Sequence, residues 1–329
     1  MTTQELTRSH RPWLVFTWVA ALALLGAAAG SSAGIQGTGR ARTVIAYGPI
    51  TAFGSIFVDG VEYSLDNASI SVNGQPATAS QLEVGQIVTV QGVRAPNAST
   101  GAAASVSFAA DVIGPVSQLD VGGHTLTVLG QTVRIDGATL LGAGIQGGTF
   151  AGLQPGAMVQ VSAFEDATGD LHASRIDLLA GSAPLQVKGT VEALDPSAHT
   201  FKLNELTVDY SGVEVSGGKL VNGTIATVQA NESPAGTVLY ASQVRLSSGL
   251  GGTAQQQGEL EGLVTSMTSP QSFIVAGQTV QTDTGTHFVL HGQTLAPNLA
   301  VKIHGGFTAA GVLLADQVEA MPHQEAPSR

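Results

Sequence analysis

The sequence predicts an all-β protein, four tandem small barrel-like modules placed after an N-terminal signal helix. Three observations predict it. The chain holds 42 glycines, many beside Asp, Asn or a second Gly, as expected where the backbone reverses often. Short runs such as Val88-Thr89-Val90, Val159-Gln160-Val161 and Val301-Lys302-Ile303 alternate apolar and polar residues, the period of a half-buried strand. Two short markers recur in four places, and self-similarity at a near-fixed period is the mark of a repeat architecture.

The amino terminus comes first. Residues 1–12 are polar and carry Arg8, His10 and Arg11. Trp13 to Gly26 then run without a charge, and small residues follow from Ala27 to Ala33. A basic flank, an apolar run and small residues specify a secretory signal peptide over 1–33, cleaved after Ala29 or Ala33. The competing reading is a membrane anchor, because the apolar stretch through Ala29 is 17 residues long, near the lower limit of a span. Export puts the mature chain in the periplasm or outside the cell. No later segment is long and apolar enough to cross a bilayer as a helix, so no membrane partner is expected beyond the signal segment.

After a linker over 34–46, each module opens on a glycine followed by an x-aliphatic pair. These are Gly48-Pro49-Ile50, Gly114-Pro115-Val116, Gly189-Thr190-Val191 and Gly262-Leu263-Val264, at intervals of 66, 75 and 73 residues. A second marker follows at Leu82 to Val90, Leu153 to Val161, Leu220 to Val228 and Leu295 to Ile303. Its turn glycine is Gly85, Gly156 or Gly223, and Asn298 in the last copy. Asn tolerates a left-handed backbone best after Gly, so the turn is kept. Ile56-Phe57-Val58 and Val61-Glu62-Tyr63 flank Asp59-Gly60, a type I′ hairpin signature. Each module ends on a strand with a small residue near its centre, such as Ala109, Ala173, Ala241 or Ala315.

The resulting modules are 47–113, 114–183, 187–248 and 258–320, with a second linker over 249–257 and a polar tail over 321–329. Five or six short strands fall in each, and no amphipathic helix does. A closed or nearly closed barrel solves the edge-strand problem at this size. A five-stranded OB-type barrel is the first choice, small sandwiches of paired units the second.

Composition narrows the function. With 43% hydrophobic and 11% charged residues the chain is not disordered. A formal net charge of −11, no Lys/Arg cluster and 5% aromatics exclude counterion-release binding and base stacking, so no nucleic-acid partner is expected. The absence of cysteine excludes disulfides, thiolate metal sites and a Cys nucleophile.

The candidate metal ligands are His287 and His291, with Asp283 before them and His304 after. On a helix an i, i+4 pair could share a metal. On a strand the two lie about 13 Å apart, and only a turn between them would join them. The acidic run Glu165 to Asp170 suggests calcium, but its spacing is not that of an EF-hand loop, and it sits where the other modules have hairpin loops. Gly30-Ser31-Ser32-Ala33-Gly34 and Ser216-Gly217-Gly218-Lys219 match nucleophile motifs by letter only. His124 and His199 fall at expected turns or strand starts. No catalytic residue and no cofactor are assigned. What recurs in all four modules is glycine and aliphatic positions, which specify turns and cores.

Gly34 to Arg40, Gly48 to Gly60, Val72-Asn73-Gly74-Gln75 and Val84 to Val90 together resemble a bacterial family of exported proteins defined only as a domain of unknown function. The resemblance runs from Gly34 to about Ala320. It implies a bacterial source, export and tandem β-domains, and it brings no activity, cofactor or catalytic residue. Members often look like lipoproteins, with a cysteine ahead of the glycine-rich start that this chain lacks.

The expected function is an exported, non-catalytic β-repeat protein that serves in the envelope as a binding or structural scaffold of unknown ligand, its partner an unknown envelope protein or glycan. The second reading is a carbohydrate or small-ligand binder using an OB-like barrel face, with Tyr63, Phe108 and Tyr240 as aromatic candidates. The third is a secreted hydrolase, recognisable only from geometry.

Overall fold

The computed structural model describes residues 40–181 and 183–321. The signal peptide over 1–33 lies outside the described residues, as does nearly all of the tail. The rest is strand and turn, with three single-turn 3-10 segments at Ala79–Gln81, Gln146–Gly148 and Phe150–Gly152. Among the described residues no helix is long and apolar enough to cross a membrane.

Barrel 1 shows the plan. Its first strand, Arg42–Pro49, pairs antiparallel with the fourth, Ile87–Arg94, and the fourth with the fifth, Thr100–Phe108. The fifth runs parallel to the third, Val61–Ser64, which forms a hairpin with the second, Ile56–Val58. Ala52–Phe53, continuing the first strand, pairs with the second and closes the barrel. This 1-2-3-5-4-1 order is the small Greek-key barrel expected from the sequence. Barrel 2 repeats it with Val112–Asp120, Thr125–Val128, Gln131–Arg134, Met158–Glu165 and Leu171–Leu178. Barrel 4 repeats it with Gln257–Ser269, Ser272–Val275, Gln278–Gln281, Ala300–Phe307 and Leu313–Ala320. Barrel 3 has the same order with two strands broken. Leu185–Thr190 continues as Glu192–Asp195, and Val238–Tyr240 continues as Gln243–Ser247, each half in a different sheet.

The two sequence markers meet in space, and they do so four times. The aliphatic residue of the opening exchanges hydrogen bonds with the second marker's turn. Ile50 N–H donates to Gln86 O (2.9 Å) while Gly85 N–H donates to Ile50 O (2.8 Å). The same reciprocal pair joins Val116 to Ala157 and Gly156, Val191 to Thr224 and Gly223, and Val264 to Leu299 and Asn298. The donor residue is left-handed each time, with φ of 90°, 86°, 86° and, at Asn298, 71°. Asparagine therefore replaces glycine without changing the turn.

Within the hairpins apolar residues alternate inward, as strand geometry requires. Ile56, Val58, Val61 and Tyr63 fill barrel 1, and Phe273, Val275 and Val280 fill barrel 4. Barrels 2 and 3 share one continuous core that includes Leu126, Val133, Phe201 and Val208. The first strands depart from alternation. Val44, Ile45 and Ala46 are consecutively buried because this strand also pairs, in parallel, with the first strand of barrel 4. The first strands of barrels 2 and 3 also pair, but antiparallel, through Ile113↔Gln186 and Val112↔Val187. A strand covered on both sides reads as a continuous apolar run. That explains one difference from the sequence boundaries: the first strand begins at Arg42, inside the segment assigned to the 34–46 linker.

Candidate functional site

Strands covered on both sides have no solvent face, so any charge on them must find a partner inside. Barrel 4's first strand carries two, Glu259 and Glu261, both nearly buried. In the antiparallel ladder Glu259 stands opposite His304 and Glu261 opposite Lys302. Side chains two apart share a face, so all four project together toward barrel 1. Barrel 1 answers with the tip of its hairpin. Asp59 and Gly60 take φ of 53° and 73°, the I′ turn, and this swings Asp59 against barrel 4.

Lys302 Nζ lies 2.7 Å from Asp59 Oδ1, and His304 Nε2 lies 3.2 Å from Oδ2. Both contacts fall outside hydrogen-bond directions, so neither carboxylate oxygen has a hydrogen-bond partner. Arg94 pairs with Glu259 Oε1, and the Tyr63 hydroxyl donates to Oε2 (3.1 Å). Burial pushes the Tyr63 phenol up to about 12, against the pull of Arg94. Burial also raises the Glu261 carboxyl, opposed by Lys302 and reinforced by Asp59. For Lys302 burial works against the ammonium, but contact with Asp59 outweighs it and the pKa is raised. A cavity of about 470 Å³ opens above this cluster, lined by Arg42, Arg94, Asn97, Glu259, His304 and Gln317 among others. Asp59, Glu259 and His304 each offer a ligand atom, all within 4.8 Å of one another.

A second polar junction joins all four barrels. Asp111 Oδ1 accepts from Lys188 Nζ (2.9 Å) and Oδ2 from the Ala163 N–H (2.8 Å). Glu165, Tyr47, Leu263 and Ala276 help to enclose about 20 Å³ beside it, room for one water molecule. Burial raises the Glu165 carboxyl, opposed by the hydrogen bond from Thr190 and by Lys188, and reinforced by Asp111. A raised folded-state pKa means that the fold prefers the protonated acid. That contribution is whole below the ordinary carboxylate range and is lost as pH climbs through the raised value. Glu165→Gln, which keeps an acceptor for Thr190, should therefore flatten the fall in stability from the ordinary carboxylate range upward toward neutral pH. Urea denaturation of both proteins across that range checks it, and parallel slopes would contradict it.

The structure places the sequence candidates elsewhere. Asp283 Oδ1 accepts from the Gly285 N–H (2.7 Å), and its own N–H donates to Thr286 Oγ1 (2.9 Å). Asp136 makes the same local turn in barrel 2, bonding Ala138 and Thr139. His287 is exposed on a short strand beside Gln317, and His291 Nε2 lies 3.9 Å from Glu319. The ligand atoms of Asp283, His287 and His291 form no close group of three among the described residues. Of the histidines picked out beside them, only His304 enters the seam. The acidic run closes on itself: Asp166 Oδ1 accepts from the Thr168 and Asp170 N–H groups. Gly217 and Gly218 have positive φ, so Ser216 to Lys219 is a turn, and His124 and His199 sit at turns with φ of 54° and 53°. Tyr63 and Phe108 are core residues of barrel 1, whereas Tyr240 is 61% exposed.

Asp59, Glu259, Glu261 and Lys302 were not singled out by sequence. The available signal was the pair of acids in Gln257-Gly258-Glu259-Leu260-Glu261-Gly262, a strand that otherwise reads as interior.

No curated protein matches the chain. The solved structure of drosophila Unr CSD456 is similar at 14% identity, covering 64% of this chain and 97% of that one, but its TM-score of 0.16 is too low to transfer anything. Residues 47–106, 113–177 and 261–319, which fall in barrels 1, 2 and 4, match one family, and barrel 3 is the diverged copy that the strand order reveals. These matches cover more than half of the sequence, and the chain belongs to the family described as a domain of unknown function (DUF5666).

Proposed function

We propose that the protein is exported and acts, without catalysing a reaction, as a rigid envelope scaffold for a protein partner. One observation carries the scaffold reading: three ion pairs with a buried acid lie between barrels and hold them to one another, at Asp59/Lys302, Arg94/Glu259 and Asp111/Lys188. The signal-like amino terminus supports export. A protein rather than a glycan is favoured because Tyr63 and Phe108, two of the three aromatics that the sequence offered for sugar stacking, are inside barrel 1, and exposed Phe53, Phe288 and Tyr240 are outnumbered by exposed aliphatic side chains.

A photo-crosslinking aromatic at exposed Tyr240 and at exposed Phe53, introduced in living cells, tests it. Adducts with an envelope protein are expected from the full chain, and none from a chain lacking residues 1–33. Adducts with cytosolic proteins only, or equal yields with and without residues 1–33, would overturn the reading.

A further inference from the structure

We infer that the seam between barrels 1 and 4 is a site for a divalent cation of the zinc type, held by Asp59, Glu259 and His304. The site unites a hairpin tip of barrel 1 with two facing strands of barrel 4. Asp59 is the first observation. Its side chain has no exposed surface, and although Lys302 Nζ and His304 Nε2 lie beside its oxygens, neither is aligned to donate a hydrogen bond to them. Geometry is the second. Asp59 Oδ2 and His304 Nε2 are 3.2 Å apart. Two ligands of one tetrahedral zinc, each about 2.0–2.1 Å from the metal, are separated by about 3.3 Å. Glu259 offers a carboxylate oxygen within 4.8 Å of both. Tyr63 and Arg94 hold its carboxylate, and a ligand oriented by such partners binds more tightly.

Charge is the third observation. Asp59, Glu259 and Glu261 face Lys302 and Arg94, which leaves one negative charge when all three acids are ionised and His304 is neutral. A divalent ion taking the place of the Lys302 ammonium brings the seam to neutrality. Lys302 can yield that place, because its side chain is 29% exposed on a flexible stem. The cavity above, which Glu259 and His304 line, gives an ion a way in. One imidazole and two carboxylates suit zinc better than calcium or magnesium, which favour all-oxygen shells.

Isothermal titration of the purified chain with zinc alone tests the site, beside thermal melts with and without the metal. One ion per chain with micromolar or tighter affinity, and a higher melting temperature, are expected. Asp59→Asn keeps a residue that tolerates the left-handed turn and His304→Ala leaves the strand intact; each should weaken zinc at least about tenfold. Lys302→Met removes the competing ammonium and should tighten zinc binding. A purely ion-paired seam would give the reverse: no specific zinc uptake by the folded wild type, and a Lys302→Met chain that is less stable and no better at binding. Either of those results, or unchanged affinity in both ligand variants with folding verified by circular dichroism, overturns the assignment.

Discussion

Replacing Asp111 by alanine should cost about 3–5 kcal/mol of folding free energy, the loss expected when one partner of a buried ion pair is removed. Asp111 is 6% exposed and satisfies two barrels at once. Its carboxylate takes the Lys188 ammonium of barrel 3 and the Ala163 N–H of barrel 2. Its backbone N–H donates to Val161 O (2.9 Å), and its carbonyl accepts from the Lys188 N–H (2.7 Å). Burial disfavours the Lys188 ammonium, yet Asp111 and then Tyr47 hold its pKa above the ordinary range. Alanine at 111 removes the main counter-charge and orphans a buried donor. Asparagine keeps an acceptor for Ala163 and should cost less. Urea unfolding followed by far-ultraviolet circular dichroism measures both. A loss below about 1 kcal/mol for the alanine variant would show that the junction is not held by charge.

Phe201→Ala should be as damaging, again about 3–5 kcal/mol, through the cavity it leaves in a packed core. The ring is fully buried and lies 5.7 Å from that of Tyr210. Because barrels 2 and 3 share one core, the damage should cross the boundary between them. Hydrogen exchange should accelerate at Val128 and Val133 of barrel 2 as well as in barrel 3, while Phe273 of barrel 4 keeps its protection. Loss confined to barrel 3 would mean that the shared cluster is two cores in contact.

What was legible in the sequence was local. The Gly85, Gly156, Gly223 and Asn298 turns follow from backbone sterics at single residues, and the Asp59-Gly60 hairpin from a dipeptide. Repetition then located four barrels, including the one over 187–248 that lies outside the family matches. What was not legible depends on which barrel meets which. The parallel pairing of Val44–Tyr47 with Gln257–Leu260 joins residues more than 200 positions apart, and no local pattern encodes that choice. The seam inherits the same difficulty. Asp59 reads as a turn residue and Lys302 as the polar member of an alternating strand. Only docking of the two barrels turns them into an ion contact. The histidines near Asp283 drew attention because they are close in sequence, and a strand holds such residues apart.

The coupling of first strands limits how such a chain can grow. Each of the four is already hydrogen-bonded to another copy, first with fourth and second with third. A fifth copy would bring a strand edge with no counterpart, an invitation to aggregate. Duplication within this architecture is therefore expected to proceed by couples, so that lineages keep even numbers of barrels.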